Sequence, residues 1–350
     1  MTTATQGGRR RLEAPATPAY DLPTRQPRLR PELGRWARIT VIVLWLVSTA
    51  LATTSVVAVG APTWIERPAA GVLLVVLATM LTHRVGGYLR IWVSLAGLLA
   101  VSAVVMERNV TISAAAGVTA VVATVASVLL TRPARTLGQV VREYGVAIAV
   151  ALSGTVGVAA WNAPVGYQRF NLLVLGTSLA LAIAVVWSLG AGLHGMSRQG
   201  VAVLVGVAVL LIVLLAYSSF VRTHGSETVV DAFTSTVTWL RETVGGVPRP
   251  VEVLIGLPAL VVGTSVRSRH REGWWILVFA VIGTGVMTTS LVDPNAYPSY
   301  VGLSTLYSIV LGLAVGLVAR RIALRDRSAR RNRAIERPSR VEPPRHEPLR

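Results

Sequence analysis

Six residues flanking the apolar runs are of types that do chemistry on lipid-linked substrates: Glu66, Glu107, Arg169, His224, Asp293 and Tyr297. Transfer of a lipid-linked sugar needs an outward acid acting as base and an arginine holding phosphate. Glu66 falls in the first outer loop, where some membrane glycosyltransferases place an acid. That loop is only a few residues long, and no large outer domain follows it. Solvated loop charge is the plainer reading of all six.

Other chemistries are excluded by composition. All 34 basic residues are arginine, so Schiff-base and phosphate-loop lysines are absent. There is no cysteine, which removes disulfides, thiolate nucleophiles and Cys-ligated metals. A membrane acyltransferase needs an embedded histidine, and an intramembrane serine protease needs a Ser–His pair at matching depth. The nearest histidine, His194, sits at the edge of an apolar run. No cofactor or metal site is expected. Exclusive use of arginine fits a GC-rich bacterial genome.

The elements that must carry these residues are membrane helices. Of 350 residues, 53% are apolar and 14% are charged, against about 25% charged in an ordinary soluble protein. Mean hydropathy is +0.59. The expected fold is all-α, a polytopic helical membrane protein of about ten transmembrane helices with both termini cytoplasmic. The spans are placed at 39–59, 65–81, 91–106, 110–130, 145–161, 172–192, 201–220, 251–266, 274–292 and 303–319, each near the length needed to cross. Four are short, so the count runs from nine to eleven. The runs are continuously apolar rather than alternating, which favours helices over a barrel.

Charge orients the bundle. The chain carries a formal charge of +18, and the predicted cytoplasmic loops and tails hold nearly all of the excess arginine, the arrangement of a cytoplasmic (inner) membrane protein. Residues 1–38 hold eight arginines and five prolines and read as a disordered cytoplasmic arm. Residues 39–319 form the transmembrane domain. Residues 320–350 hold eleven arginines and no aromatic residue, and read as a second disordered tail. Arg320, Arg321, Arg325, Arg327, Arg330, Arg331 and Arg333 follow the last span directly, where they are expected to contact anionic lipid headgroups. Nucleic acid is not expected as a partner, because no aromatic residues interleave with the arginines.

One outer segment differs from a turn. Within 226–245, Val230, Phe233, Val237, Leu240 and Val244 recur at helical spacing, with Ser226 as a cap and Gly245-Gly246 and Pro248 as a stop. An amphipathic helix on the outer face is expected there. In the last span, Ser308, Gly312 and Gly316 make a stripe of small residues, a packing face within the bundle or between copies. Thr53, Thr54, Ser55, Thr288, Thr289 and Ser290 either line a vestibule or bond carbonyls of their own helices.

The predicted spans hold no Asp, Glu, Arg or His well inside them. Glu143 and Glu252 fall at span ends, and His83-Arg84 reads as interfacial charge. A proton-driven antiporter or a voltage sensor is then hard to build. Two readings remain. One is a permease-like transporter or flippase of a neutral or lipidic substrate, with two five-helix halves divided near 162–171. The other is a non-catalytic scaffold of cell-envelope assembly or division, whose tails and outer helix meet a membrane-protein partner or a second copy.

Overall fold

The computed structural model describes residues 34–57, 63–188, 205–206, 209, 235, 238–239, 241–268, 273–292, 297–328, 345 and 347–349. Every regular element among them is helical. In chain order these are α1 (Arg35–Val57), α2 (Thr63–Val85), α3 (Leu89–Met106), α4 (Asn109–Leu129), α5 (Leu137–Ala160), α6 (Tyr167–Ser188), α7 (Leu257–Arg267), α8 (Gly273–Thr288) and α9 (Pro298–Ser328). A π-helical turn, Glu252–Gly256, leads into α7.

Seven of these helices, α1 to α6 and α9, are long and apolar enough to cross a membrane. The chain is therefore a multi-pass helical membrane protein. Most of the expected span 201–220 lies outside the described residues. The two remaining expected spans are shorter helices, α7 with 11 residues and α8 with 16.

Burial divides the bundle into a centre and a shell. Most of α8 is buried, as is much of α4 and α5. Outward faces of α1, α3, α6 and α9 expose Leu46, Leu98, Leu172 and Val318 by more than half. Apolar surface of that extent is what lipid requires, and water would disfavour it.

Small residues and hydroxyls join the central helices. Gly256 and Gly283 bring the π turn and α8 into backbone contact, where a Cβ on either would collide with the other's main chain. Thr124 of α4 and Thr288 of α8 share a hydrogen bond of 2.8 Å, and Thr155 of α5 donates to Met287 O at 3.0 Å. Such bonds replace the hydrophobic drive that helices lack in lipid. Trp45 Nε1 donates to Ser153 Oγ at 3.0 Å, tying α1 to α5. Thr53, Thr54 and Ser55 donate to carbonyls three or four residues back, as do Thr289 and Ser290.

Several boundaries differ from expectation, with physical causes. The fifth span was expected to begin at residue 145, yet α5 begins at Leu137. Thr136 and Gln139 form a reciprocal capping box there, each side chain accepting the other's amide, at 3.3 and 3.2 Å. The added turns place Glu143 inside the helix. Likewise α2 runs to Val85 rather than residue 81, so Arg84 belongs to the helix. The last helix starts at Pro298 and continues to Ser328, nine residues beyond the expected end at 319.

Candidate functional site

Two polar centres interrupt the apolar bundle. The first begins where a helical stretch at Arg241–Val244 ends. Gly245 takes the left-handed conformation, φ +74°, and its amide bonds Arg241 O. That backbone suits glycine and stops the helix. Gly246 then lies against α9 so closely that a Cβ would sit 2.7 Å from the Ser304 amide nitrogen.

From there the chain runs beside α9 without helical hydrogen bonds of its own. Side-chain hydroxyls of α9 replace them. Ser304 Oγ accepts from the Val247 amide at 3.0 Å, and Ser308 Oγ accepts from the Arg249 amide at 2.9 Å. Tyr307 donates to Val244 O at 2.9 Å. Irregular backbone within a membrane bundle is tolerated only where protein satisfies it in this way, or where it lines a cavity.

This segment ends in an ion pair. Arg249 Nη1 donates to Glu252 Oε1 at 2.9 Å. The Glu252 side chain is fully buried, and that of Arg249 is 23% exposed. Glu252 Oε2 makes no hydrogen bond among the described residues. Ser308 adjoins the carboxylate. It lies ten residues into α9, about 15 Å along its axis. Tyr144 of α5 reaches the same level and donates to Ile309 O at 2.7 Å. Glu252 was expected at a span end. It lies instead near mid-height of the bundle, because Gly245 to Pro250 carry the chain inward before helix resumes.

The second centre is at the end of the bundle where α2, α4, α7 and α9 finish and α5 begins. It is rich in arginine and is termed the basic end. The last carbonyls of a helix lack partners within it. Here three successive carbonyls at the end of α4 are each taken by an arginine from elsewhere. Arg84 Nε donates to Leu129 O at 3.2 Å, Arg345 Nε donates to Leu130 O at 2.9 Å, and Arg267 donates to Thr131 O. Positive charge at a helix C-terminus also complements its dipole. The Arg267 guanidinium lies 4.2 Å above the Trp274 ring, within cation–π range.

Glu143 completes this centre. Its buried carboxylate accepts from the Arg132 amide at 2.8 Å, from Arg142 at 3.0 Å and from Arg345 at 2.5 Å. Glu252 corrects the expectation of spans without interior charge. Arg84, Glu143 and Arg267 are also buried in protein, but at the basic end where the helices finish. His83-Arg84 was expected as interfacial charge, yet Arg84 is fully buried.

Other singled-out residues fall as follows. Gly312 and Gly316 face α7, where added Cβ atoms would come within 2.7 Å of Leu257 and 2.8 Å of Val261. The stripe is therefore covered within the chain, with Ser308 at its upper end holding Arg249. Val244 ends the helical stretch before Gly245, while Val230, Phe233, Val237 and Leu240 lie outside the described residues. Arg320 bonds Ser265 Oγ at 3.0 Å and Arg135 O at 3.1 Å, and Arg321 is exposed. Arg325 and Arg327 continue α9. Arg330, Arg331 and Arg333 lie outside the described residues.

Among the described residues, Glu66, Glu107, Arg169 and Tyr297 do not assemble into a reacting set. Glu107 pairs with Arg67 at 3.5 Å in the open, where such a pair contributes little. Among the described residues nothing joins Arg169 or Tyr297 to that pair, and His224 and Asp293 lie outside them. A small apolar recess of about 10 Å³, the room of a single water molecule, opens between α4, α6 and α8, lined by Val125, Val128, Leu129, Ala182, Val186, Trp274, Leu277, Val278 and Val281. No family model, no curated protein and no solved structure matches this chain.

Proposed function

We propose that this chain is a permease-like transporter or flippase of a neutral or lipidic substrate, set in the cytoplasmic membrane with its basic end inward. The observation that carries this reading is the Arg249–Glu252 pair at a broken helix near mid-height. Ionisable residues at such depth are costly, and where they persist they usually serve a pathway. Broken helices near the midplane are also where several transporter folds bind their substrates and coupling ions.

Arginine at the ends of α2, α4, α7 and α9 supports the orientation, through the tendency of basic loops to stay inside. A scaffold would depend on the tails and the outer amphipathic helix. Most of those residues lie outside the described ones.

The test is lipid translocation in proteoliposomes carrying a fluorophore-labelled phosphatidylglycerol, followed by quenching of the outer leaflet. The full chain should move the label faster than protein-free vesicles, and Glu252→Gln should abolish the gain. Equal rates with and without the wild-type chain would overturn the flippase reading.

A further inference from the structure

Arg345 and residues 347–349 lie against the basic end. Arg345 Nε bonds Leu130 O at 2.9 Å, and its Nη2 bonds Glu143 Oε2 at 2.5 Å. Arg84 Nη1 donates to Glu347 O at 3.0 Å, and the Leu349 amide donates to Arg84 O at 3.0 Å. The Leu349 side chain packs on the larger apolar core. A single short segment thus bridges the ends of α2 and α4 and the start of α5.

These contacts are built so that they can be given up. If Arg345 leaves, Glu143 keeps the Arg132 amide and the Arg142 guanidinium. Arg84 likewise keeps Leu129 O when Glu347 leaves. No buried charge is stranded, which is the usual penalty for opening such a contact. Arg345 itself is 23% exposed, so solvent and headgroups can reach it. Its guanidinium fits a phosphate as well as a carboxylate, because both accept two parallel N–H bonds.

We propose that Arg345 and residues 347–349 form a latch on the basic end, and that anionic lipid headgroups open it by competing with Glu143 for Arg345. The latch sits beside the apolar recess, since Leu129 lines the recess and Leu130 O holds Arg345. Its release frees the end of α4 next to that recess. The inference rests on the basic end facing an anionic leaflet, and not on transport.

The absence of cysteine makes a distance measurement simple. Two cysteines are introduced in the full chain, Leu137→Cys at the exposed start of α5 and one added after Arg350, and both are spin-labelled in nanodiscs. In phosphatidylcholine alone the distances should form one short, narrow population. Added phosphatidylglycerol should convert it to a long, broad one, and inorganic phosphate at the same concentration should not. Arg345→Ala, a change outside the helices, should give the broad population in phosphatidylcholine already, as should Glu143→Gln. A narrow population at every lipid composition would overturn the proposal, as would a broad one for the wild type in phosphatidylcholine. Opening by free phosphate as readily as by phosphatidylglycerol would overturn the lipid as its ligand. A latch that opens in a chain that translocates no lipid would leave this inference standing and remove only the transport reading.

Discussion

Arg249 and Glu252 are three residues apart and joined at 2.9 Å, with the carboxylate fully buried beside Ser308 of α9. The pair is local in sequence, but its setting is tertiary. Gly245 to Pro250 bring it inward, and hydroxyls of α9 hold the backbone that does so. Such a pair is weak evidence for stability, because desolvation of both ions offsets their attraction.

That balance gives a specific expectation for substitutions. Arg249→Met alone strands the buried carboxylate and should cost about 3 kcal/mol, near the low end for a broken buried pair because Arg249 keeps some exposure. The double change Arg249→Met with Glu252→Leu should recover most of that loss. Thermal midpoints in detergent, followed by tryptophan fluorescence, measure both. A double variant as unstable as the single one would show that Glu252 has a further structural partner.

Trp161 presents a cleaner case. It is fully buried, and its indole N–H donates to Thr119 Oγ1 at 3.0 Å, across α5 and α4. Thr119→Val keeps the volume and removes the acceptor, leaving a buried donor unsatisfied. The expected loss is about 1–3 kcal/mol, while Thr119→Ser should stay near wild type. Equal midpoints for the two variants would mean that the indole finds another acceptor.

Gly316 meets Val261 and Pro258 of α7 with no room for a larger residue. Gly316→Val should therefore destabilise the single chain by about 1–3 kcal/mol through overpacking. A face used between copies predicts something else, a change in oligomer mass. Light scattering after size exclusion separates the two. The stripe seen here predicts a lower midpoint at unchanged mass.

The helices were legible from sequence because lipid demands long apolar runs, and α3 and α4 begin and end within two residues of expectation. What was not legible depended on partners far along the chain. An arginine after an apolar run, such as Arg84, looks interfacial, since the side chain can snorkel to water. Its burial depends on distant partners, the Leu129 carbonyl 45 residues later and the Glu347 carbonyl beyond it. Glu143 was misplaced by a signal present in the sequence, the Thr136 and Gln139 capping box, which moves the helix start by eight residues. Glu252 had a signal too. Gly245, Gly246 and Pro248 break the helix and Pro250 restarts it, so the span that follows had to be short. The side to which the chain then turns was set by Ser304 and Ser308, which no local pattern reveals.

Arg320 and Arg321 separate two roles that the sequence assigns alike. Both follow the last apolar run, and both are expected at anionic headgroups. Arg320 instead bonds Ser265 Oγ and Arg135 O, joining α9 to α7 and to the segment before α5. Hydrogen bonds from a charged donor are worth about 1.5–3 kcal/mol, and partial exposure places Arg320 at the lower end. Arg320→Gln should therefore lower the thermal midpoint in neutral detergent, where no anionic lipid is present. Arg321 is exposed, so Arg321→Gln should leave that midpoint unchanged. In anionic lipid nanodiscs Arg321→Gln should instead reduce the salt-sensitive part of stability, by about 1 kcal/mol for one arginine at the surface. If both variants respond only to lipid, the α9 to α7 contact does not hold in the membrane. If both respond only in detergent, the headgroup expectation fails at this position.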